Sequence, residues 1–130
     1  MKSILFILVL ILVIVTTSIA STSYFVFSDV SDEFIIELSN NETIAEARDI
    51  IKNNITKSVM GTIVKDKAWY NPKWSFHLDP NTISFFEFAI EVCDASIVYV
   101  EEHLAEAGGA FLPGNHWCPW SSKLLKRCRI

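Results

Sequence analysis

The chain has 130 residues, with 11 basic and 15 acidic side chains and a formal net charge of −4. This length suits one small domain. Because no strong positive charge covers the chain, it does not resemble a general nucleic-acid-binding protein, and we expect no nucleic-acid partner. Four Trp, nine Phe and three Tyr are too much apolar surface to remain in water, which excludes an extensively disordered chain.

The first 20 residues have the layout of a secretory signal peptide. A lysine near the start precedes an apolar run over residues 4–15, and small residues then place Ser18 and Ala20 at the −3 and −1 positions of a cleavage site. An uncleaved membrane anchor is the alternative, but the run is shorter than the about 20 residues that span a bilayer. We therefore predict cleavage near Ala20 and a secreted, extracellular protein.

Two short motifs agree with export. Asn41 and Asn54 each begin an Asn-x-Thr triplet, which accepts N-linked glycans in a eukaryotic host. Both asparagines are therefore candidate glycosylation sites, and a glycan on Asn41 would lie at the start of a predicted helix.

The cysteines are Cys93, Cys118 and Cys128. In an oxidising compartment a bridge is the default, and three cysteines allow three single-bridge arrangements that each leave one over. Metal ligation is the competing interpretation, because His116 lies two residues before Cys118. There is no CxxC pair, however, and a zinc site needs three or four ligands at reachable spacing. We predict no metal and no cofactor.

The first half of the mature chain predicts two strands, a helix and a third strand. Residues 24–27 are apolar and residues 33–38 alternate, so they predict a hairpin. Residues 42–52 carry apolar side chains at helical spacing, and any of the three residues 39–41 is a suitable N-cap. Residues 58–65 are predicted to form a strand.

The second half predicts a hairpin followed by a helix. Residues 74–78 and 83–92 flank an Asp-Pro-Asn-Thr turn, which would place Leu78 opposite Ile83. Residues at alternate positions of the second strand would form the main buried face. They are Phe86, Phe88, Ile90 and Val92.

A second helix is predicted from Asp94, as its cap, to Ala107, and glycine follows its end. Its apolar stripe would be Ile97, Val100 and Leu104. The fold class is then α+β, with a mainly antiparallel sheet of about five strands and two helices packed on one face. We expect a single domain over residues 21–120 and a basic C-terminal tail over residues 121–130.

Six segments of this chain resemble a known family. They match the N-terminal domain of a calmodulin-binding protein of social amoebae and its small exported relatives in bacteria and fungi. The resemblance covers nearly all of residues 24–123. The segments are 25–30 (FVFSDV), 60–65 (MGTIVK), 70–72 (YNP), 74–80 (WSFHLDP), 90–96 (IEVCDAS) and 114–122 (GNHWCPWSS).

This resemblance implies that Cys93 and Cys118 belong to a shared pattern and form a disulfide that staples the domain. Cys128 lies beyond the pattern, so it would be a free thiol or the link of a disulfide-bonded dimer. The resemblance transfers no catalytic residue. Calmodulin binding is a property of the founding protein and reaches this chain only as an expectation.

Charge is strongly segregated along the chain. Residues 21–106 carry a net charge of −9, whereas residues 107–130 contain four basic residues and no acid. The spacing of Trp117, Leu124 and Ile130 resembles a calmodulin-target helix. Contact with an acidic membrane surface or partner, and folding back onto the acidic body, are the alternatives. The basic residues are Lys123, Lys126, Arg127 and Arg129.

The loop from Asn115 to Trp120, called the 115–120 loop below, is the main candidate binding surface. Loops of this kind on a rigid scaffold commonly carry binding residues, and a tryptophan beside amide and imidazole groups suits a sugar ring or a peptide. Packing in the core is the alternative for each large aromatic residue. The candidate residues are Asn115, His116, Trp117 and Trp120, joined by Trp69 and Tyr70.

No catalytic motif is complete. Ser121 and Ser122 lie near His116, but there is no GxSxG turn, and a Cys–His pair would need a thiolate beside the imidazole. We therefore predict a small secreted, non-catalytic binding domain whose partner is a protein or a glycan. The alternatives are calcium-dependent calmodulin binding, or a small hydrolase or protease inhibitor.

Overall fold

The hairpin predicted over residues 24–38 is confirmed. The computed structural model describes residues 21–89 and 91–130, so the predicted signal peptide lies outside the described residues. Strands β1 (Ser23–Ser28) and β2 (Glu33–Leu38) pair antiparallel over their whole length. Their alternation turns one side of each strand into the core, where Phe25 is fully buried.

Helix α1 (Asn41–Lys52) is also confirmed, and Asn40 is its N-cap. The side-chain Oδ1 of Asn40 accepts hydrogen bonds from the backbone N–H groups of Glu42 and Thr43, at 2.8 and 3.3 Å. These bonds satisfy two donors that the first turn of a helix leaves without partners. The buried side of the helix consists of Ile44, Ala47 and Ile50.

The predicted second hairpin is wrong. Strand β3 (Ser58–Val64) is present, but β4 (His77–Leu78) and β5 (Ser84–Phe86) both pair with β3 and not with each other. Residues 77–86 therefore run antiparallel along β3 as one interrupted strand. Leu78 lies opposite Ile63, not opposite Ile83.

The interruption is the turn that the sequence does signal. Asp79 caps a 3-10 helix over Pro80–Thr82. The turn keeps the backbone of β3 satisfied, because Asp79 N–H donates to the Thr62 carbonyl at 2.9 Å and Thr82 Oγ1 accepts from Thr62 N–H at 2.9 Å. The turn thus forms a bulge within the partner strand and does not reverse the chain into a hairpin.

The long buried strand predicted over residues 83–92 is also wrong. Strand β5 ends at Phe86, which is the one buried residue among the described members of the predicted face. Phe88 is 88 % exposed and Val92 is 58 % exposed, while Ile90 lies outside the described residues. Residues 91–93 form a 3-10 helix instead of a strand.

Helix α2 (Ile97–Glu102) is shorter than predicted and begins after Ser96, whose side chain accepts from Tyr99 N–H. Asp94 is therefore not its cap. The carboxylate of Asp29, in the β1–β2 turn, accepts the Ile97 N–H at 2.9 Å and fastens the helix start to the hairpin. A 3-10 helix (Leu104–Glu106) follows, and then β6 (Ala107–Gly108) and β7 (Phe111–Pro113) pair parallel.

The last ten residues are part of the domain and do not form a separate tail. Strand β8 (His116–Trp117) pairs with β3, and β9 (Lys123–Cys128) pairs antiparallel with β1 to complete a sheet of order β2-β1-β9. Leu124 lies opposite Phe27 and is buried in the core. The basic segment is an edge strand, so it does not have the helical form that the calmodulin-target spacing predicted.

The α+β class is confirmed, with antiparallel sheets, two helices and a Cys93–Cys118 disulfide. The described residues form nine strands instead of about five, because several pairs are only two or three residues long. One hydrophobic core joins both larger sheets to both helices. Within the described residues, no helix has the length and apolarity needed to cross a membrane.

Substitution of Trp117 tests this core. Trp117 is fully buried and Trp120 is 43 % exposed, although only two residues separate them. We expect Trp117→Ala to lower the free energy of unfolding by about 3–5 kcal/mol. Trp120→Ala should stay within about 0.5 kcal/mol of the parent chain. Chemical denaturation followed by circular dichroism measures both. Equal losses in the two variants would contradict the assignment of Trp117 to the core.

Candidate binding surfaces

The 115–120 loop is fastened to the segment before α2. The disulfide joins Cys118 to Cys93, and the Cys118 N–H donates to the Cys93 carbonyl at 2.8 Å. The Trp120 N–H donates to the Asp94 carboxylate at 2.9 Å. The disulfide spans 25 residues of sequence, which is worth roughly 3 kcal/mol in the chain-entropy model. The loop is therefore a rigid part of the scaffold.

Trp117 is not available to a partner, which corrects its prediction as a binding residue. Its ring contacts those of Phe27, Phe34 and Phe76 at centroid distances of 5.8, 5.4 and 5.5 Å. Its indole N–H donates to the Ala95 carbonyl at 2.9 Å. Since both its apolar surface and its donor are satisfied inside the protein, Trp117 stabilises the fold.

Asn115 is a turn residue, which explains its identity without a ligand. Its φ of +59° lies in the left-handed region, which asparagine adopts more readily than most residues. Its carbonyl accepts the Ile63 N–H at 2.8 Å and continues the pairing of β3. Its side chain packs so close to Gly108 that a Cβ atom there would meet it at 2.8 Å.

The two exposed residues of the loop face different surroundings. His116 lines a pocket with Met60 and Cys93 beside the disulfide. Trp120 lies near the start of β3, where Ser58 Oγ donates to its carbonyl at 2.9 Å. The 115–120 loop therefore does not present its predicted residues as one surface.

Trp69 and Tyr70, by contrast, belong to an aromatic cluster with Tyr24 of β1. Ring centroids are 5.5 Å apart for Tyr24–Trp69, 5.1 Å for Tyr24–Tyr70 and 5.7 Å for Trp69–Tyr70. Trp69 is 68 % exposed, while Tyr70 is buried beneath it. Sequence reasoning missed Tyr24, although its place next to the buried Phe25 predicts that it faces the other side of the strand.

The segment that carries Trp69 and Tyr70 is held against the edge of β2. The Asn71 side-chain carbonyl accepts the Ile35 N–H at 3.2 Å, and the Trp74 indole N–H donates to the Glu33 carbonyl at 2.9 Å. These bonds cover backbone groups that an edge strand would otherwise expose. They also fix the position of Trp69 relative to the sheet.

The basic end of β9 lies beside this cluster. Tyr24 is opposite Cys128 in the sheet, and it lines a surface pocket of about 410 Å³ together with Arg127 and Arg129. We call Tyr24, Trp69, Tyr70, Arg127 and Arg129 the aromatic–basic patch. Tyr24 thus contacts the rings of two predicted aromatic residues and also lines a pocket with two residues of the predicted basic segment.

The other two basic residues of β9 are also exposed. Lys123 lies apart from the patch and lines a pocket with Trp120 and Asn54. Lys126 lies opposite Val26 and lines a pocket with Asn71 and Trp74, beside the segment that carries Tyr70. Cys128, which has no disulfide partner, is half-buried. A disulfide-bonded dimer through Cys128 remains a prediction.

Both candidate glycosylation sites are at the surface. Asn41 is exposed as the first residue of α1. Asn54 is exposed just beyond the end of that helix, with a φ of +50°. These positions leave room for a glycan at either residue.

The two tyrosines of the patch are held in their neutral form. Burial raises the pKa of Tyr70, and the charge of Glu37 and then the neighbouring Tyr24 raise it further. The pKa of Tyr24 is raised by burial and by the charge and hydrogen bond of Glu37. The Tyr70 hydroxyl has no hydrogen-bond partner within the part of the chain that the structure describes. It is thus a buried, protonated hydroxyl whose hydrogen-bonding capacity is unused.

The fold and these surfaces define a disulfide-stapled α+β domain with an exposed aromatic cluster beside a basic strand end. The model of the BP-74 N-terminal domain family matches residues 21–130, and the chain belongs to that family. This confirms the family expected from the six sequence segments, and the match includes strand β9. No curated protein and no solved structure was found to match the chain.

The raised pKa of Tyr70 gives a pH-dependent prediction. Unfolded tyrosine loses its proton near pH 10, whereas folded Tyr70 keeps it to higher pH. Its contribution to stability is therefore complete below pH 10 and is lost as pH rises through the raised pKa, by about 1.4 kcal/mol per pH unit. We expect the free energy of unfolding to fall less between pH 8 and pH 11 in Tyr70→Phe than in the parent chain. Denaturant titrations at both pH values measure this, and identical pH dependences would contradict it.

Proposed function

We propose that this domain is an exported, non-catalytic binding protein that captures an anionic glycan through the aromatic–basic patch. One observation carries the proposal, namely the exposed Trp69 ring packed against Tyr24 beside a pocket lined by two arginines. Family membership supports only the coarser statement that the chain is an N-terminal domain of this family.

The aromatic part of the patch suits the apolar face of a sugar ring. Water-exposed indole surface is costly, and a large aromatic side chain in a fixed position offers contact area with little loss of conformational entropy. Trp69 has that fixed position because Tyr24 and Tyr70 both contact its ring. These two contacts thus hold the large apolar ring of Trp69 at the surface.

The polar part suits carboxylate or sulfate groups. Arginine binds such groups bidentately and keeps its charge at all physiological pH values. Arg127 and Arg129 are both exposed and line the same pocket as Tyr24. The pocket volume of about 410 Å³ is within the range of small-molecule sites.

Glu37 adds a group that can bind sugar hydroxyls. The Glu37 carboxylate lies close enough to raise the pKa of both tyrosines, and it is an acceptor of hydrogen bonds. The neutral Tyr70 hydroxyl has no partner among the described residues.

Calmodulin binding through the basic segment is disfavoured by the position of that segment. A calmodulin target presents its anchors from one amphipathic helix. Here Trp117 and Leu124 are buried on two different strands. The segment would have to leave the sheet and expose Leu124 before it could form such a helix.

Trp69→Ala is the direct test of the aromatic part. We expect binding of uronic-acid-containing oligosaccharides to weaken about fivefold or more, since stacking of the kind measured for bases on an aromatic ring contributes on the order of 1–3 kcal/mol. Thermal unfolding should change little because Trp69 is largely exposed. Trp120→Ala is the matched control, as it removes an exposed tryptophan from another surface. Isothermal titration calorimetry measures the affinity of each variant for the oligosaccharides. Equal affinities in the two variants would contradict the proposal.

Three further measurements in the same series separate the alternatives. Arg127→Ser with Arg129→Ser should remove binding and its salt dependence, whereas Lys123→Ser, at the other end of β9, should not. Binding of polyglutamate but not of the oligosaccharides would show that the ligand is an acidic peptide and not a glycan. Recovery of the bound oligosaccharide intact would agree with a non-catalytic role, and its cleavage would contradict that role.

Export has its own test. We expect the protein recovered from the culture medium of an expressing eukaryotic cell to begin at Ser21, because Ser18 and Ala20 form the cleavage signal. Intact-mass analysis after removal of N-linked glycans measures the start of the chain. Ala20→Arg is the control variant that should block cleavage. A parent chain that stays with the cells and keeps Met1 would contradict export.

A further inference from the structure

A surface pocket of about 300 Å³ lies between the end of α1 and the start of β9. Asn54, just beyond α1, and Trp120, at the end of the 115–120 loop, both line it. The rest of its lining comes from residues 55–58 and 121–123 and is mainly serine, threonine and lysine. The aromatic–basic patch contributes none of these residues, so the pocket is a separate feature of the surface.

Hydrogen bonds between β3 and the segment after the 115–120 loop fix the shape of this pocket. Ser58 Oγ lies 2.9 Å from the Trp120 carbonyl oxygen and 3.2 Å from that of Ser122. The Val59 N–H donates to Ser122 Oγ at 3.0 Å. Asn54 lies only four residues before Ser58, so the walls that carry Asn54 and Trp120 are held next to each other.

The Trp120 indole is free to contact a ligand. The residue is 43 % exposed, and within residues 21–89 and 91–130 its ring makes no aromatic contact and its indole N–H donates no hydrogen bond. Its backbone is held in place, because its N–H donates to the Asp94 carboxylate at 2.9 Å. An apolar ring is thus presented on the wall of a mainly polar pocket, where it can pack against the apolar face of a sugar.

Asn54 is accessible for attachment of a glycan. It begins the triplet Asn-Ile-Thr, and both Asn54 and Thr56 are exposed in the irregular segment between α1 and β3. The side-chain amide of Asn54 makes no hydrogen bond within the part of the chain that the structure describes. Neither the fold nor a neighbouring side chain therefore occupies the nitrogen atom that accepts a glycan.

We propose that Asn54 carries an N-linked glycan whose first sugar, an N-acetylglucosamine, occupies this pocket and packs its apolar face against the Trp120 indole. The proposal rests on the export part of the proposed function, because N-linked glycans are added to exported chains. The sugar is attached beside the ring, so its effective concentration there is high and a weak contact is sufficient. Its hydroxyl and acetamide groups face a lining rich in hydroxyl and ammonium donors, such as the exposed Ser121 and Lys123.

The attachment step balances with a lipid-linked oligosaccharide diphosphate as the donor. The bond between the first carbon of the sugar and the phosphate oxygen breaks, and its electron pair leaves with the lipid diphosphate. Asn54 Nδ2 forms the new bond to that carbon and loses one proton to a base. No oxidation or reduction takes place.

The test uses protein secreted by a eukaryotic cell that makes high-mannose glycans. Asn41→Gln leaves Asn54 as the remaining candidate site. An endoglycosidase trims the glycan to its first sugar, whereas an amidase removes it completely and converts the asparagine into aspartate. We expect the intact and trimmed forms to share one melting temperature, and the melting temperature to fall by about 3 °C when the last sugar is removed. Differential scanning calorimetry measures all three forms.

Trp120→Ala identifies the contact. In the Asn41→Gln chain that also carries Trp120→Ala, removal of the last sugar should lower the melting temperature by less than about 1 °C, which gives a double-mutant cycle between sugar and ring. The change to aspartate is common to both chains and cancels. Without a glycan, Trp120→Ala itself stays nearly neutral, because the contact it removes is absent.

Asn54→Gln is the matched control, since it leaves a glycan on Asn41 at the other end of α1. Removal of that glycan should have the same effect with and without Trp120→Ala. Equal losses on removal of the Asn54 sugar with and without Trp120 would overturn the proposal. An exported chain whose intact mass shows no glycan on Asn54 would overturn it as well, while leaving export and the aromatic–basic patch in place. A chain that stays with the cells and keeps Met1 would instead contradict export itself.

Discussion

The burial of the Trp117 indole is the contact on which the other features of this domain depend. Strand β8, which carries it, has only two residues and little backbone pairing of its own. Trp117 nevertheless joins β1, β2 and the segment before β4 through three aromatic contacts, and it reaches the segment before α2 through its indole N–H. A large ring fixed at four points holds a short strand that hydrogen bonds alone would leave marginal.

The orientation of Trp117 decides where its neighbours face. With the indole inside, alternation turns His116 and Cys118 to the opposite face, where Cys118 is buried in a smaller cluster with Met60 packed against it and His116 is exposed. The disulfide and the Cys118 N–H then fasten the loop to the 3-10 helix at Cys93. A residue predicted to bind a partner thus has a structural role, and the loop around it has little freedom to adapt to a ligand. The loop can therefore only present a few side chains in fixed positions. This favours a preorganised site over an adaptable surface.

The sequence predictions are right where local interactions decide the structure and wrong where residues distant in sequence decide it. The first hairpin, α1 and β3 were predictable because local alternation or helical spacing agrees with their final burial. The Asp-Pro-Asn-Thr turn is real, but whether it makes a hairpin or a bulge depends on β3, which is distant in sequence. Strand β9 was missed because only Leu124 in it is fully buried, so no alternation marks it. Burial of Trp117 and exposure of Trp120 likewise depend on tertiary packing, since both residues have the same intrinsic tendencies.

The charges of β9 are available for a partner because the fold does not use them. Within residues 21–89 and 91–130, the ion pairs are Lys57–Glu46, Lys73–Asp32 and His103–Glu106, and none includes β9. The strand is held by Leu124 in the core and by backbone pairing with β1, both independent of its basic side chains. Removal of Arg127 and Arg129 should therefore leave stability nearly unchanged. A basic edge strand also resists pairing with another sheet, because the charges repel a second copy of itself. The same charges can thus prevent self-association and still attract an anionic ligand to the aromatic–basic patch.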